Sequence, residues 1–567
     1  MKKFLALLLA AMMLTGLLAG CGGDSTEATN APATQPAGES QPAEESQPAG
    51  ETQPQGTTTE GPQYGGHLNV RITAMPTGVD PLKQTGAFKY LYMTAVYEPV
   101  LTRDAENNIA PSVCDFEISE DLLDLKLWVR EGVTFSNGDA ADIYDVEASI
   151  NRFISQYANG KKYVKPYISS MTVEQENGKD ILHIVFSSYH EKTLYYLAAY
   201  QTWCAVLPKE ICEKYATSYI VADLEDAIGT GPYVFTDMED SVHITIKKRD
   251  NYVPVESNGT GMAGTKYGYL DSMTFWYNAT DASSAVAMLA GEYDVTEVIP
   301  ADYEQMARDQ GLTVSIMPSN QHTFIIFNTR GSDNMVAKYP SLRKAILAAI
   351  DYEEFLAVVC DDSQVLEGEN SGFILQDKYD TDAFKKADYY GPDNQELVDK
   401  YLKDAEAEGY KGGPVQIVYN ASRTDIPTLL CDYMDKAGIN FQLQTFENAT
   451  ASAFVGDPSN NWDFTFQWQT VAFTPSLLTD SIMDSHYKSD WKDETREKMA
   501  QMDPDSEEYM QLWQELAQYT ADGAYFGALS RIDWWWWHPQ TFHVNDDGYS
   551  RFLYNAYWDD PANHPQK

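Results

Sequence analysis

The sequence predicts a mixed α/β body, divided into at least two lobes and carried on an unstructured leader. Three observations lead there. Segments that alternate apolar and polar residues interleave irregularly with segments of helical period, which suits mixed sheets. The folded part spans roughly 500 residues, more than one hydrophobic core accommodates. A low-complexity stretch separates that part from an apolar N-terminus.

The chain opens MKKFLALLLAAMMLTGLLAGCGG. Lys2 and Lys3 give a basic start, and Phe4 to Leu18 is a nearly unbroken apolar run. That run is too short to span a bilayer comfortably and reads as the core of a signal peptide over residues 1–20. Residues 21–63 then carry QPAGES, QPAEES and QPAGET in series, with several Glu and no aromatic residue, Lys or Arg. Such a segment cannot bury enough apolar surface to offset its chain entropy and stays disordered. As a coil of about 40 residues it reaches roughly 35 Å, and its prolines extend it further.

The body begins near Tyr64. Leu68, Val70 and Ile72 alternate as one face of a strand, followed by a Pro/Gly turn. Leu123, Leu125, Leu127 and Val129 mark a second strand, and Asn137-Gly138 a tight turn. Asp142, with Asp145 three residues on, predicts a capped helix through Val146, Ile150 and Phe153. IGTGPYVF (228–235) reads as a glycine turn leading into a strand, and VHITIKKRDNY as another strand. Asp281 is a candidate cap for a helix through Ala285, Met288 and Leu289, with Gly291 to stop it. SLRKAILAAIDYEEFLAVV predicts one amphipathic helix through Leu342, Ile346, Ala349 and Ile350. PVQIVYN and GINFQLQTF are strands, and no repeat is visible beyond the leader.

The formal net charge is −44. That excludes nucleic-acid binding, which needs Lys and Arg to displace counterions, and charge-driven adhesion to anionic lipid. It suits solubility in an exposed location, with cation capture as the other reading. There are six cysteines: Cys21, Cys114, Cys204, Cys212, Cys360 and Cys431. A chain this long needs no disulfide framework; a Cys204–Cys212 bridge and buried free thiols both stand as readings. HExxH, GxSxG, a Walker A loop, SxxK with partners and CxxC pairs are all missing. His538 and His543 lie five apart in a loop-like context and do not make a metal site. No catalytic residue, metal or cofactor is expected, although the many carboxylates leave a glycosidase-type pair open.

Two resemblances sharpen this reading. LLAGC resembles the bacterial lipobox, which implies that Cys21 becomes the mature N-terminus and carries lipid; two acyl chains suffice for stable anchoring. In the body, VDPL, AVYEPVLTRD, LKLWVREGVTFSNGDAADIYDVEASINRF, GTGPYVF, KKRDNY, AVAMLAGEYDV, FIIFNTR, LRKAILAAIDYEEF and HYKSDWKDETREKM follow one another in order. The set resembles the extracellular solute-binding proteins of ABC importers, family 5, which include oligopeptide, dipeptide and nickel binders.

The resemblance implies a two-lobed periplasmic-binding-protein type II-like fold with an inserted subsidiary domain. Residues 64–103, 205–318 and 523–567 would form lobe I, 104–204 the insertion and 319–522 lobe II. FIIFNTR and GALSRID would be the hinge crossings. It further implies a monomer on the extracytoplasmic face of the cell membrane, held by its lipid alone. There it would take a small-molecule or peptide-like ligand and deliver it to ABC importer permease subunits.

The same resemblance implies the ligand positions. KQTGAFKY matches a cleft loop and gives Thr85, Ala87 and Phe88. The end of FQLQTFE gives Phe446. WDFTFQWQTVAFTP gives Trp468, Gln469 and Thr470. GALSRID gives Leu529, Ser530 and Arg531. The chain departs from the family at Val471, where peptide binders place an Asp to pair the ligand's α-amino group; an ammonium buried without that partner loses several kcal/mol (~3–5). Arg531 suits a carboxylate or phosphate, or else a structural ion pair. Trp468 and Phe446 suit stacking on a ligand, or else core packing.

The four tryptophans Trp534 to Trp537 follow Arg531 on one strand, with Trp535 and Trp537 on the Arg531 face and Trp534 and Trp536 on the other. They lie past the hinge and read mainly as lobe packing. An oligosaccharide or other organic solute is the alternative ligand; a secreted hydrolase and a surface adhesin are the rival functions.

Overall fold

The computed structural model describes residues 61–83, 89–199, 204–331, 333–359, 379, 381–389, 394–420, 425–470, 475, 486, 489–544 and 552–566. The signal-like segment, Cys21 and the Pro/Glu leader lie outside them. So do Thr85, Ala87, Phe88, Cys360 and Val471. Residues 59–567 form one compact unit.

Strand β1 (His67–Ile72) and helix α1 (Lys89–Val96) open the body. Four antiparallel strands follow: β2 (Cys114–Ile118), β3 (Asp124–Val129), β4 (Ile168–Glu176) and β5 (Lys179–Phe186), in the order β2-β3-β5-β4. Helix α2 (Ile143–Gln156) covers this sheet. Its start is the predicted capping box: Asp142 accepts from the N–H groups of Tyr144 and Asp145, and Asp145 accepts from that of Asp142.

The chain then returns to β1. Strands β6 (Tyr233–Glu239), β7 (His243–Lys248) and β8 (Ser272–Tyr277) complete a sheet ordered β1-β8-β7-β6, with β1 parallel to β8 and the other pairs antiparallel. The glycine turn before β6 is packed tight. A Cβ on Gly229 would stand 2.1 Å from the Val96 carbonyl oxygen, and one on Gly231 2.5 Å from that of Ala95, so only glycine fits at the end of α1. Helix α3 (Asp281–Leu289) follows. Its N-cap is Thr280 rather than Asp281. Asp281 sits in the first turn because its carboxylate is drawn to the buried guanidinium of Arg71, 2.7 Å away. Gly291 does end the helix, at φ 74°.

The longest strand, β9 (Leu312–Phe327), enters the third sheet. The single helix predicted over 341–359 is two, α4 (Pro340–Ala348) and α5 (Tyr352–Val359). Asp351 makes the break by accepting from the Glu354 N–H at 2.9 Å, an N-cap contact that begins a new helix. Helix α6 (Gln395–Glu408), β10 (Val415–Asn420), α7 (Asp425–Lys436), β11 (Phe441–Phe446) and β12 (Phe464–Thr470) come next. Helix α8 (Glu507–Gly523) and strand β13 (Phe526–Pro539) follow. The sheet order is β11-β10-β12-β9-β13. One face buries Ile325, Phe327, Ile417 and Phe464 against α4 to α7, and the other buries Phe324 and Ile326 against α8. Each face of β9 is therefore covered, as its unbroken apolar run FIIF requires.

Two contacts tie the ends of the chain together. The His67 N–H donates to the His564 carbonyl at 2.6 Å, and the Trp558 indole donates to the His67 carbonyl at 3.0 Å. A buried ion pair ties helix α2 to the chain after β1: Arg152 of α2 grips Asp80 at 3.2 and 2.5 Å, and Asp80 also accepts from the N–H groups of Leu82 and Ile220. With both carboxylate oxygens so occupied, the burial cost of this pair is largely offset. Cys114, Cys204 and Cys212 are buried free thiols, and Cys431 is a partly exposed one.

Candidate functional site

Strand β9 has two halves. Its first half, Leu312–Met317, pairs with Pro539–Trp534 of β13, and its second half, from Gln321, pairs with Ile532–Phe526. Between them β9 spends Pro318, Ser319 and Asn320 while β13 spends only Asp533. A second irregularity falls at Leu529, which is extra between Ser530 and Ala528.

The stretch between these breaks gathers the sequence-predicted positions. His322 is paired with Gln469 on one side and Arg531 on the other; Thr323 is paired with Trp468 and Ser530; Gln321 is paired with Thr470 and Ile532. Neighbouring strands stand about 4.8 Å apart, so the Gln469 and Arg531 backbones lie about 10 Å apart across His322. Gln469, His322 and Arg531 thus form one cross-strand row. The rows on either side of it are Gln321 with Thr470 and Thr323 with Trp468.

This part of the sheet is held from the far ends of its strands. The buried carboxylate of Asp463, just before β12, accepts from the N–H groups of Gln416 (2.7 Å) and Val336 (3.2 Å). Burial pushes its carboxyl above the usual range, against those hydrogen bonds. The Asn328 N–H, after β9, donates to the Asp463 carbonyl at 2.8 Å. Phe355 of α5 packs on Phe466, with ring centroids 5.9 Å apart.

Phe446 lies apart. It ends β11, and β10 stands between that strand and β12. Its ring stacks on Phe454 at 4.8 Å, beside Val418, Val455 and Trp462. Gln321, His322 and Thr323 were not singled out from the sequence, although the polar run SNQHT inside an otherwise apolar long strand was the available signal.

The tryptophans fill the first half of the ladder. Trp535, Trp536 and Trp537 are buried. Trp536 joins the core of the first sheet with Phe542 and Trp558, while Trp537 packs on Ala285, Met288, Ile299 and Ala307 beneath the Arg308 guanidinium. The two face opposite ways, as strand alternation requires. The backbone of Trp537 exchanges hydrogen bonds with Thr296 (2.8 and 3.1 Å), and neighbouring Val295 bridges to Val70 of β1. Hydrogen bonding thus runs from the first sheet into β13.

The family description "Bacterial extracellular solute-binding proteins, family 5 Middle" matches residues 99–492. Among curated relatives, the glutathione-binding protein GsiB of Salmonella paratyphi A is 25% identical over 291 residues, 50% of this chain and 51% of that protein. The chain thus spans about half the length of the curated relatives it matches. The substrate-binding protein CtaP of an ABC transporter from Listeria monocytogenes superposes with a TM-score of 0.71 at 18% identity, covering 88% of this chain and 100% of that one. The oligopeptide-binding protein AppA of Bacillus subtilis, solved with a nonapeptide, gives 0.67 at 17% identity, with 88% and 100% covered. The fold is that of type II-like periplasmic binding proteins, mixed α/β with several sheets and none closed as a barrel. The chain belongs to family 5 of the bacterial extracellular solute-binding proteins. The family and these relatives are binding proteins, not enzymes. Among the described residues, no helix is long and apolar enough to cross a membrane.

Proposed function

We propose that this family member is a lipid-anchored receptor that captures a peptide-like solute by closing two lobes on it and hands it to ABC importer permease subunits. One observation carries the reading: a single three-strand stretch juxtaposes Trp468, Gln469, Thr470 and Arg531, and it lies at the register break between two long strands. A break of that kind is where two rigid halves can pivot with little loss of hydrogen bonding. In this reading residues 64–103, 205–318 and 523–567 form lobe I, 104–204 its insertion and 319–522 lobe II. Cys21 carries the lipid, and residues 22–63 let a monomeric body range above the extracytoplasmic membrane face.

The ligand class follows from chemistry. Arg531 pairs with a carboxylate of the solute, Gln469 supplies amide contacts, and Trp468 stacks on an apolar group. Thr85, Ala87 and Phe88, outside the described residues, are assigned to the ligand by likeness to the family alone. With Val471 in place of an acid, the site has no partner for a free α-ammonium group. The solute is therefore a carboxylate-bearing compound whose amine is blocked or absent. Isothermal calorimetry with matched free and N-acetylated short peptides tests this. The acetylated series should bind more tightly; tighter binding of the free-amine series sinks the assignment. Native mass spectra of the purified protein, before and after unfolding, would identify any solute carried from the host.

A further inference from the structure

At the seam between the first sheet and the insertion lies a cavity of about 20 Å³ with no lining residue in the β9–β12–β13 stretch. Glu98, Thr134, Thr230, Arg249, Tyr252 and Lys266 line it. Arg249 is 6% exposed and Lys266 4%, so both cations are withdrawn from solvent.

Their pairing is unequal. Lys266 meets the Glu98 carboxylate at 3.2 Å. Burial would raise the Glu98 carboxyl, but Lys266, the Thr230 hydroxyl and Arg249 outweigh it and hold it below its usual range, so it is ionised. The Arg249 guanidinium lies over Tyr252, 4.9 Å from the ring centre. Its Nη2 donates to the carbonyls of Thr134 (2.9 Å) and Thr230 (3.0 Å). Its Nε and Nη1 have no hydrogen-bond partner among the described residues. Arg130, also at the cavity wall, is already satisfied by the Ser112 and Glu256 carbonyls and by Asp115.

Two buried cations therefore face one carboxylate, leaving one positive charge and two strong donors over. A water can take the donors but not the charge, and an unpaired buried charge is the costlier of the two defects. The space is enough for a small ion. We propose that this cavity is a structural binding site for a small monovalent anion of halide size, held by Nε and Nη1 of Arg249 with Lys266 alongside. The ion would fasten the segment after β3 to the β7–β8 connection, because Thr134 belongs to one and Arg249 and Lys266 to the other.

Crystals of the wild-type protein grown in sodium bromide test the site directly. An anomalous difference peak within hydrogen-bond distance of Arg249 Nε and Nη1 is expected; density without anomalous signal means water and overturns the proposal. In solution, Tm at constant ionic strength should rise saturably as chloride replaces gluconate, because the ion binds only the folded state. Arg249→Lys, which keeps the charge but removes the fork, and Arg249→Met should both abolish that rise. If Tm is the same in both salts for the wild type, the proposal fails whether or not the variants fold.

Discussion

The two halves of the β9–β13 ladder are made from the same pair of strands and do opposite work. The half from Leu312 to Met317 faces a run of tryptophans sunk into two cores. The stretch from Gln321 to Thr323 in the other half pairs mostly with polar positions, Ser530, Arg531, Gln469 and Thr470, with Trp468 and Ile532 among them. The run of tryptophans belongs to the scaffold, and the candidate site is built mainly of polar residues around the single Trp468, the reverse of what four adjacent tryptophans first suggest.

The comparison can be broken most forcefully at Trp536. Trp536→Ala should cost about 3–5 kcal/mol of stability, since the ring is wholly buried. Urea unfolding measures it, and solute affinity of the folded fraction should not change. A loss of affinity without loss of stability would move the site into the tryptophan half. Arg531→Ala should do the converse. Truncating one partner of a desolvated charge pair costs about 2–5 kcal/mol of binding. Calorimetry with the acetylated peptide series should show that loss, while Tm stays near wild type.

A third test uses pH. His538, in the tryptophan half, is buried with Nε2 2.8 Å from the Ser315 hydroxyl. Burial outweighs its hydrogen bond to Pro539 and lowers its pKa below the ordinary 6.5. The unfolded chain then binds more protons than the folded one just below pH 6.5, so stability is full above 6.5 and declines as pH falls from there toward the folded pKa. His538→Gln should flatten the Tm-against-pH curve in that window, leaving the part due to His67 and His564, whose pKa values burial also lowers. The smallest effect is expected at Phe446→Leu, about 1 kcal/mol of stability with affinity unchanged, because its ring packs on Phe454. A drop in affinity there would return Phe446 to the ligand.

Local signals were legible in the sequence and distant ones were not. The Asp142–Asp145 capping box and the GTG turn are written within a few residues, and each was readable as such. The helix break at Asp351 was missed because the apolar spacing continues through it, and one side-chain hydrogen bond decides the matter. Asp281 misled because its partner, Arg71, is 210 positions away. Trp468, Gln469, Thr470 and Arg531 were picked out by likeness to a family. Their meeting point, Gln321 to Thr323, left only the polar run SNQHT as a local signal, because the meeting itself depends on pairing across more than a hundred residues and on two irregular steps that no local propensity encodes.

The clasp between His67 and the last residues sets an order of events during synthesis. Trp558 and His67 are 491 positions apart. At about 5–20 residues per second the ribosome needs roughly 25–100 s to deliver one to the other. Throughout that interval β1 lacks its closing contacts, whereas the sheet from β2 to β5 draws all its strands from consecutive chain and can form early. The first sheet therefore cannot close until Trp558 and His564 have been made, and removal of residues 558–567 should leave β1 open to protease.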